Sequence, residues 1–289
     1  MHPDPRGITV EGDLRPPLPI NEPVLSYVAG SPERAELKAT LDMMASEVID
    51  IPVIVGGKDI LTGDTADVVM PHDHGHVLAR YHKAAPEHIQ AAIDTGHEAW
   101  HEWSNWPWQD RAAVLLRAAD LLAGPWRATL NASTMLGQSK TVYQAEIDAA
   151  CEIIDFWRFN VQYARELYAQ QPISSPGLWN YMDYRPLEGF IYAISPFNFT
   201  SIGGNLPTAP ALMGNVAIWK PARTSLYSSY FLMRLLQEAG LPDGVINFLP
   251  GNSAQISDLL IKSPHLAGIH FTGSTGVFQS LWKQVADNL

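Results

Sequence analysis

The chain has 289 residues, with 30 acidic side chains against 19 basic ones and a formal net charge of −11 with histidine neutral. Hydrophobic residues at 46% and charged ones at 17% mark a folded chain of one large or two ordinary domains and exclude a disordered or collagen-like one. The acidic balance argues against a broad surface for nucleic acid or anionic membrane, which needs clustered Lys and Arg. The single cysteine, Cys151, excludes an intramolecular disulfide and a multi-cysteine zinc site. No run approaches the roughly 18 uninterrupted apolar residues of a membrane span. Met1 to Pro19 carries Asp4, Glu11 and Asp13 among several prolines. It has neither the apolar core of a secretory signal nor the Arg-rich, acid-poor character of a transit peptide. A loose N-terminal arm on a cytoplasmic protein is expected.

From Ile51 to Tyr81 the sequence is strand-like, with Gly56-Gly57 and Gly63-Asp64 as turn signals. From Ala85 to about Gln171 it becomes helical. Pro86 opens a first helix running to Trp103, with Ile89, Ala92, Ile93, Gly96 and Trp100 at helical spacing. Arg111–Leu122 is a second amphipathic helix, with Asp110 as its expected N-cap and Gly124-Pro125 as its stop. A long third helix is predicted from about Ser139 to Ala169. After Pro176 four short β-rich runs follow: Gly189–Ser195, Asn215–Lys220, Gly244–Phe248 and Gly268–Phe271. Helix-competent segments separate and follow them: Gly203–Met213, Ser225–Ala239, Ala254–Ile261 and Ser274–Ala286. Strands spaced this way form βαβ units, so the fold class is α/β: a Rossmann-like parallel sheet with flanking helices, preceded by a helical layer and a β-hairpin region. The organisation reads as an arm and short helix over 1–50, a hairpin plus helical layer over 51–175, and the βαβ region over 176–289.

In such sheets ligands sit beyond the C-terminal ends of the strands. The segments there are Ser195-Pro196-Phe197-Asn198-Phe199, Lys220-Pro221-Ala222-Arg223, Pro250-Gly251-Asn252 and Thr272-Gly273-Ser274-Thr275-Gly276. Each alone reads most simply as an ordinary βα loop; jointly they would bring a lysine, a carboxamide and a helix start to one rim. Gly273-Ser274 opens a helix directly after a strand, where backbone N–H groups and the helix dipole favour a phosphate, although no G-x-G-x-x-G fingerprint occurs. Lys220 ends an otherwise apolar strand, where a ligand hydroxyl or phosphate would give its ammonium a partner. The Asn198 side-chain amide could donate to a developing oxyanion, or simply form a turn.

Three other groupings have mundane readings. His72, His74 and His76 alternate as metal ligands on a strand face would, but a polar strand surface is the simpler reading and no metal is expected. Trp100, Trp103, Trp106 and Trp108 lie among Asp94, Glu98, Glu102 and Asp110 rather than lysines and arginines. They therefore suit helix packing, not stacking on single-stranded nucleic acid. Glu146, Asp148, Glu152 and Asp155 fall at helical spacings that could pair carboxylates, and Glu152 could lie near a substrate ammonium. A solvated or salt-bridged helix face is the default for all four. Cys151 sits mid-helix among apolar neighbours, where a thiol is ordinarily inert.

Taken together, SPFNFTSIGGNLPTAPALMGNVAIWKPA, AGLPDGVINFLPG and IHFTGSTGVF resemble the cofactor-binding half of the aldehyde dehydrogenase superfamily. The spelling SPFNF, with GQSKTVYQAEIDAACEIIDFWRFN upstream and LWKQVADNL at the end, is closest to one branch. That branch oxidises L-glutamate γ-semialdehyde to glutamate with NAD in proline breakdown. The resemblance runs from about Glu22 to Leu289. It implies NAD as cofactor, a small aldehyde as substrate, a homo-oligomer in the complete enzyme, and no nucleic-acid or membrane partner. It implies that Asn198 stabilises the oxyanion and that Ser195 and Lys220 contact NAD, Lys220 at the adenosine ribose. Gly273, Ser274, Thr275, Gly276 and Val277 would lie beneath the pyrophosphate, and Phe199 would line the aldehyde entrance. Arg223 stands where the family often has an acidic or small polar residue, and an arginine there is compatible with a 2′-phosphate. The family's nucleophilic cysteine (G-Q-x-C) and general-base glutamate (E-x-G-G-K) motifs do not occur in these residues. The chain is therefore expected to be the N-terminal part of such an enzyme, without the catalytic domain and inactive alone. The rival readings are another aldehyde dehydrogenase, or a non-catalytic nucleotide-binding remnant or subunit.

Overall fold

In the computed structural model, which describes residues 15–288, an extended segment leads into α1 (Pro32–Ser46). Five short strands follow: β1 (Ile49–Ile51), β2 (Val53–Val55), β3 (Lys58–Ile60), β4 (Thr65–Met70) and β5 (Asp73–His82). The helical layer comprises α2 (Pro86–Trp103), α3 (Trp108–Ala123), α4 (Arg127–Gln138), α5 (Val142–Ala145), a π-helical stretch (Glu146–Glu152) and α6 (Ile153–Tyr168). The chain then alternates β6 (Phe190–Ile194), α7 (Thr200–Leu212), β7 (Val216–Lys220), α8 (Leu226–Glu238), β8 (Ile246–Phe248), α9 (Ser253–Ile261), β9 (Leu266–Phe271) and α10 (Thr275–Ala286). Most of the arm expected over Met1–Pro19 lies outside the described residues.

The α/β reading holds. The main sheet has the order β3-β2-β8-β7-β6-β9, parallel from β8 to β9. The hairpin β2–β3 joins it antiparallel through the pair Ile54–Phe248. The hairpin turn needs positive φ at two successive positions, which Gly56 (+56°) and Gly57 (+73°) supply. A separate three-stranded sheet has the order β1-β5-β4.

Period-2 alternation sends side chains to opposite faces of each strand. Phe190, Tyr192, Ile194, Val216 and Ile218 therefore pack with α2 and α9. Ala193, Ala217, Trp219, Ile246 and Phe248 face the opposite way, toward α3, α6, α7 and α8. Both faces are covered, which is why these strands read as continuous apolar runs.

The helical layer departs from the sequence reading in four places. Arg127–Gln138 forms a helix of its own, α4. Ser139 then takes the left-handed conformation (φ +54°), so the long third helix begins only at Val142 and passes through the π-helical stretch. Second, Asp110 lies in the first turn of α3, whose N-cap is Pro107. Third, of the solvated or salt-bridged face expected for the acidic residues, Glu146 and Asp148 realise the salt-bridged alternative, paired with Arg127 and Lys140, but in the interior: Glu146 is fully buried and Asp148 is 3% exposed. Fourth, Cys151 faces charged groups as well as apolar ones, with Sγ 3.6 Å from Arg127 and 3.8 Å from Glu146.

Glu146 explains how the segment before α1 is held. Its carboxylate accepts from Leu25 N (2.8 Å), the Tyr27 hydroxyl (2.8 Å), Asn131 (2.8 Å) and Arg127 (2.5 Å). Arg127 also pairs with Glu22 (2.5 Å), which pairs with Arg158 (2.7 Å). Burial raises the Glu146 pKa, but Arg127, Leu25 N–H and Tyr27 outweigh it and leave it below 4.5. A carboxylate depressed in this way adds stability above its unfolded pKa, and that stability is lost as pH falls through the folded value. Glu146→Gln is expected to cost about 3 kcal/mol in urea unfolding at pH 7, because it removes one of the two carboxylates that pair a buried guanidinium. It should also flatten the acid limb of the stability curve below about pH 4.5; an unchanged acid limb would contradict this account.

Candidate functional site

The sheet's strand order reverses at β6. The chain builds β6, β7 and β8 outward to one side, then returns to place β9 on the other side of β6. Ile194 is paired with Lys220 on one side and Phe271 on the other, so these strand ends are level. A crevice at such a reversal point is where open α/β sheets take ligands.

Several groups meet on this rim. Lys220 is the last residue of β7 and is 8% exposed. Among the described residues its ammonium has no hydrogen bond or ion pair, and burial pushes its pKa down. Arg111, also buried, shows the usual alternative: it donates to the carbonyls of Leu212 (3.0 Å) and Trp106. An unpartnered buried ammonium is costly, so Lys220 is a group waiting for an acceptor.

Ser195 is buried, and its hydroxyl accepts from the Trp219 indole (3.1 Å) while its N–H reaches Lys220 O (3.3 Å). The hydroxyl is thus engaged inward. The next loop begins with Pro196, whose carbonyl accepts from Ser225 (3.2 Å), and then exposes Phe197, Asn198 and Phe199. Phe199 is half-exposed, with the Lys140 ammonium 4.6 Å from its ring centroid.

On the other side of β6, Thr272 N donates to Ile194 O (3.2 Å). Ser274 then caps α10, accepting from Val277 N (3.4 Å). Gly273, Ser274, Thr275, Gly276 and Val277 are all exposed, and a Cβ on Gly276 would meet nothing within 4 Å. The start of α10 is therefore open to solvent, and a helix N-terminus of this kind suits an anion. Pro250-Gly251-Asn252 serves the fold instead: Ala84 N donates to Pro250 O (2.8 Å), and Asn252 caps α9. Arg223 is exposed in a 3₁₀ turn after β7.

The other groupings resolve separately. His72 lies in the turn before β5 and bonds Ser139 (2.7 Å), while His76 bonds Ala45 O (2.8 Å). Among the described residues no group of three His, Cys, Asp or Glu is arranged to hold a metal. Trp103 is buried in helix packing and donates to Ala211 O (2.9 Å). No helix among the described residues is long and apolar enough to cross a membrane.

One group that the sequence reading did not single out for the site is Asp148. Its carboxylate accepts from Thr200 N (3.0 Å), Ser201 N (3.0 Å), Ser201 Oγ (2.8 Å) and Lys140 Nζ (2.5 Å). Ser201 Oγ also lies 2.9 Å from Glu152. A signal existed: Phe199, at the N-cap of α7, carries no acceptor, so the cap had to come from elsewhere in the chain.

Residues 61–289 match the model of the aldehyde dehydrogenase family. The chain belongs to that family. It is 52% identical over 271 residues to Delta-1-pyrroline-5-carboxylate dehydrogenase of Agaricus bisporus, covering 93% of this chain and 50% of the relative. It is 51% identical to the human mitochondrial Delta-1-pyrroline-5-carboxylate dehydrogenase, covering 93% and 48%. The crystal structure of the Mycobacterium tuberculosis Delta-pyrroline-5-carboxylate dehydrogenase bound with NAD superposes with a TM-score of 0.95 at 54% identity. That match covers 96% of this chain and 52% of that one. The chain spans about half the length of the curated relatives it matches.

Lys220 gives a prediction that needs no ligand. A lysine whose folded pKa lies below its ordinary 10.5 disfavours the fold at neutral pH, and stability rises as pH climbs toward that value. Lys220→Met should raise the midpoint of thermal unfolding at pH 7 and abolish the rise in stability as pH climbs toward about 10. A lower midpoint at pH 7 would show that the ammonium has a stabilising partner.

Proposed function

We propose that this chain is the cofactor-binding half of an NAD-dependent dehydrogenase that oxidises L-glutamate γ-semialdehyde (1-pyrroline-5-carboxylate) to glutamate in proline breakdown. The observation that carries the reading is the rim itself. A buried, unpartnered Lys220 and an open helix start at Gly273–Val277 flank the strand that presents Asn198. Both anchors suit a dinucleotide: an ammonium for ribose hydroxyls and backbone N–H groups for the pyrophosphate. The likeness to an NAD-bound relative over nearly the whole of this chain supports the same choice.

In this reading Lys220 holds the adenosine ribose, and Gly273, Ser274, Thr275, Gly276 and Val277 lie against the pyrophosphate. Ser195 contributes through its backbone, since its hydroxyl is taken by Trp219. NAD, when bound, supplies the hydride acceptor. Asn198 donates its amide to the oxyanion formed when a thiolate adds to the aldehyde carbon. Phe199 lines the entrance, and Glu152, beside Ser201, receives the substrate ammonium. The exposed Arg223 leaves room for some use of NADP.

The thiolate itself is not among these residues. Burial, with the nearby Glu146 carboxylate, pushes the Cys151 pKa up to about 12, so at neutral pH it is a thiol and a poor nucleophile. This observation favours a second reading, a non-catalytic nucleotide-binding subunit or remnant. The segment 171–182 suits self-association of the complete enzyme. It folds back through Gln171 to Met182 (2.8 Å) and Asn180 to Ser174 (3.0 Å), and it presents Ile173, Trp179 and Tyr181 to solvent. With one buried thiol, we place the chain in the cytoplasm, although relatives include mitochondrial proteins.

The purified chain with NAD and L-glutamate γ-semialdehyde should form no NADH. Co-expression with the C-terminal half of the Mycobacterium tuberculosis relative should restore turnover. Steady turnover by the chain alone would refute the assignment of the nucleophile to another segment, and failure of complementation would favour the non-catalytic reading.

A further inference from the structure

The loop carrying Asn198 is anchored at both ends by buried groups. At its start, Ser195 is held by Trp219, and the carbonyl of Pro196 by Ser225. At its finish, the first two N–H groups of α7 are held by Asp148, a side chain 52 residues earlier on the π-helical stretch. Only Phe197, Asn198 and Phe199 are left to project. A carboxylate brought in from another helix is an unusual cap. Burying it at 3% exposure requires a counter-charge, and Lys140 supplies one at 2.5 Å. Each oxygen of Asp148 has two donors: Oδ1 accepts from Ser201 N and Oγ, and Oδ2 from Thr200 N and Lys140. With both oxygens committed, the carboxylate plane is fixed, and so is the direction in which α7 leaves the loop. The ammonium of Lys140 also stands over the Phe199 ring, so one ion pair touches both the helix start and the loop tip.

A second consequence follows from charge. The N–H groups at the start of α7 would by themselves draw an anion. Asp148 occupies them internally. An oxyanion forming at the rim is thereby left to the Asn198 amide rather than to the helix.

We propose that Asp148, paired with Lys140, is the positioning residue of the Asn198 loop, fixing the amide that meets the developing oxyanion and closing the α7 terminus to competing anions. The proposal rests on the reading of Asn198 given above. Two variants of this chain test it: Asp148→Ala, and Asp148→Asn, which keeps the volume in case the first fails to fold. Amide exchange should speed up at least tenfold at Thr200 and Ser201 in both, with β7 (Val216–Lys220) unchanged. Unchanged protection at α7, or a parallel rise throughout the sheet in both variants, would overturn the proposal. In the complemented enzyme, Asp148→Ala should lower kcat at least tenfold and leave KM for NAD within twofold. In an Asn198→Ala background it should lower kcat no further. If Asn198→Ala itself leaves kcat unchanged, the oxyanion reading fails while the exchange result still decides whether Asp148 orders the loop. If Asn198→Ala lowers kcat and the two losses multiply, the oxyanion reading stands and positioning through Asn198 is refuted.

Discussion

The reversal of strand order at β6 is the constraint on which the rest of the site depends. Three βα units built outward from β6 and a return to its other side put the ends of β6, β7 and β9 level. That arrangement alone brings residues about 25 and 75 positions apart, Ser195, Lys220 and Thr272, to one rim. Both faces of β6 and β7 are covered by helices, so their ends offer polar groups mainly at the rim. The hairpin β2–β3 closes one side of the sheet. β9, at the opposite edge, is paired only with β6 among the described residues, and it lies beside the apolar face of α10, where Phe278 and Trp282 are exposed.

Buried charge is treated in two ways in this molecule. In the helical layer, Glu146, Arg127, Glu22 and Arg158 form a connected network in which carboxylates and guanidinium groups find several partners. Asp148 and Lys140 do the same beneath α7. Those groups hold segments distant in sequence together. Lys220 differs: its desolvation is not offset by a partner among the described residues. Proteins retain such an imbalance where a ligand supplies the missing partner, at a cost to the stability of the free form.

Much of this was legible in the sequence. The βαβ alternation is explicit because each strand is apolar on both faces and each helix is bounded by a glycine, proline or capping residue. The rim residues followed from the rule that ligands meet strand ends. Most of what was not legible depends on contacts between residues far apart in sequence. The acidic periodicity of 146–155 gives a helix face but not the direction in which that face points. Burial of Glu146 and Asp148 depends on Arg127, Lys140 and the start of α7. Ser139, between two helical patterns, takes a left-handed turn that composition does not announce, and α4 was hidden by its mixture of Asn, Ser and Thr with apolar residues. The environment of Cys151 was misjudged for the same reason, since its charged neighbour Arg127 comes from α4.

The central claim is that the rim of this chain forms a dinucleotide site in which Lys220 is a principal contact. Calorimetric titration of the chain with NAD, beside Lys220→Met, tests it most directly. The account predicts saturable one-to-one binding by the parent chain and a loss of about tenfold or more in affinity for the variant, the scale of one hydrogen bond to a charged group. The absence of binding by the parent, or equal affinity in the two proteins, would contradict it.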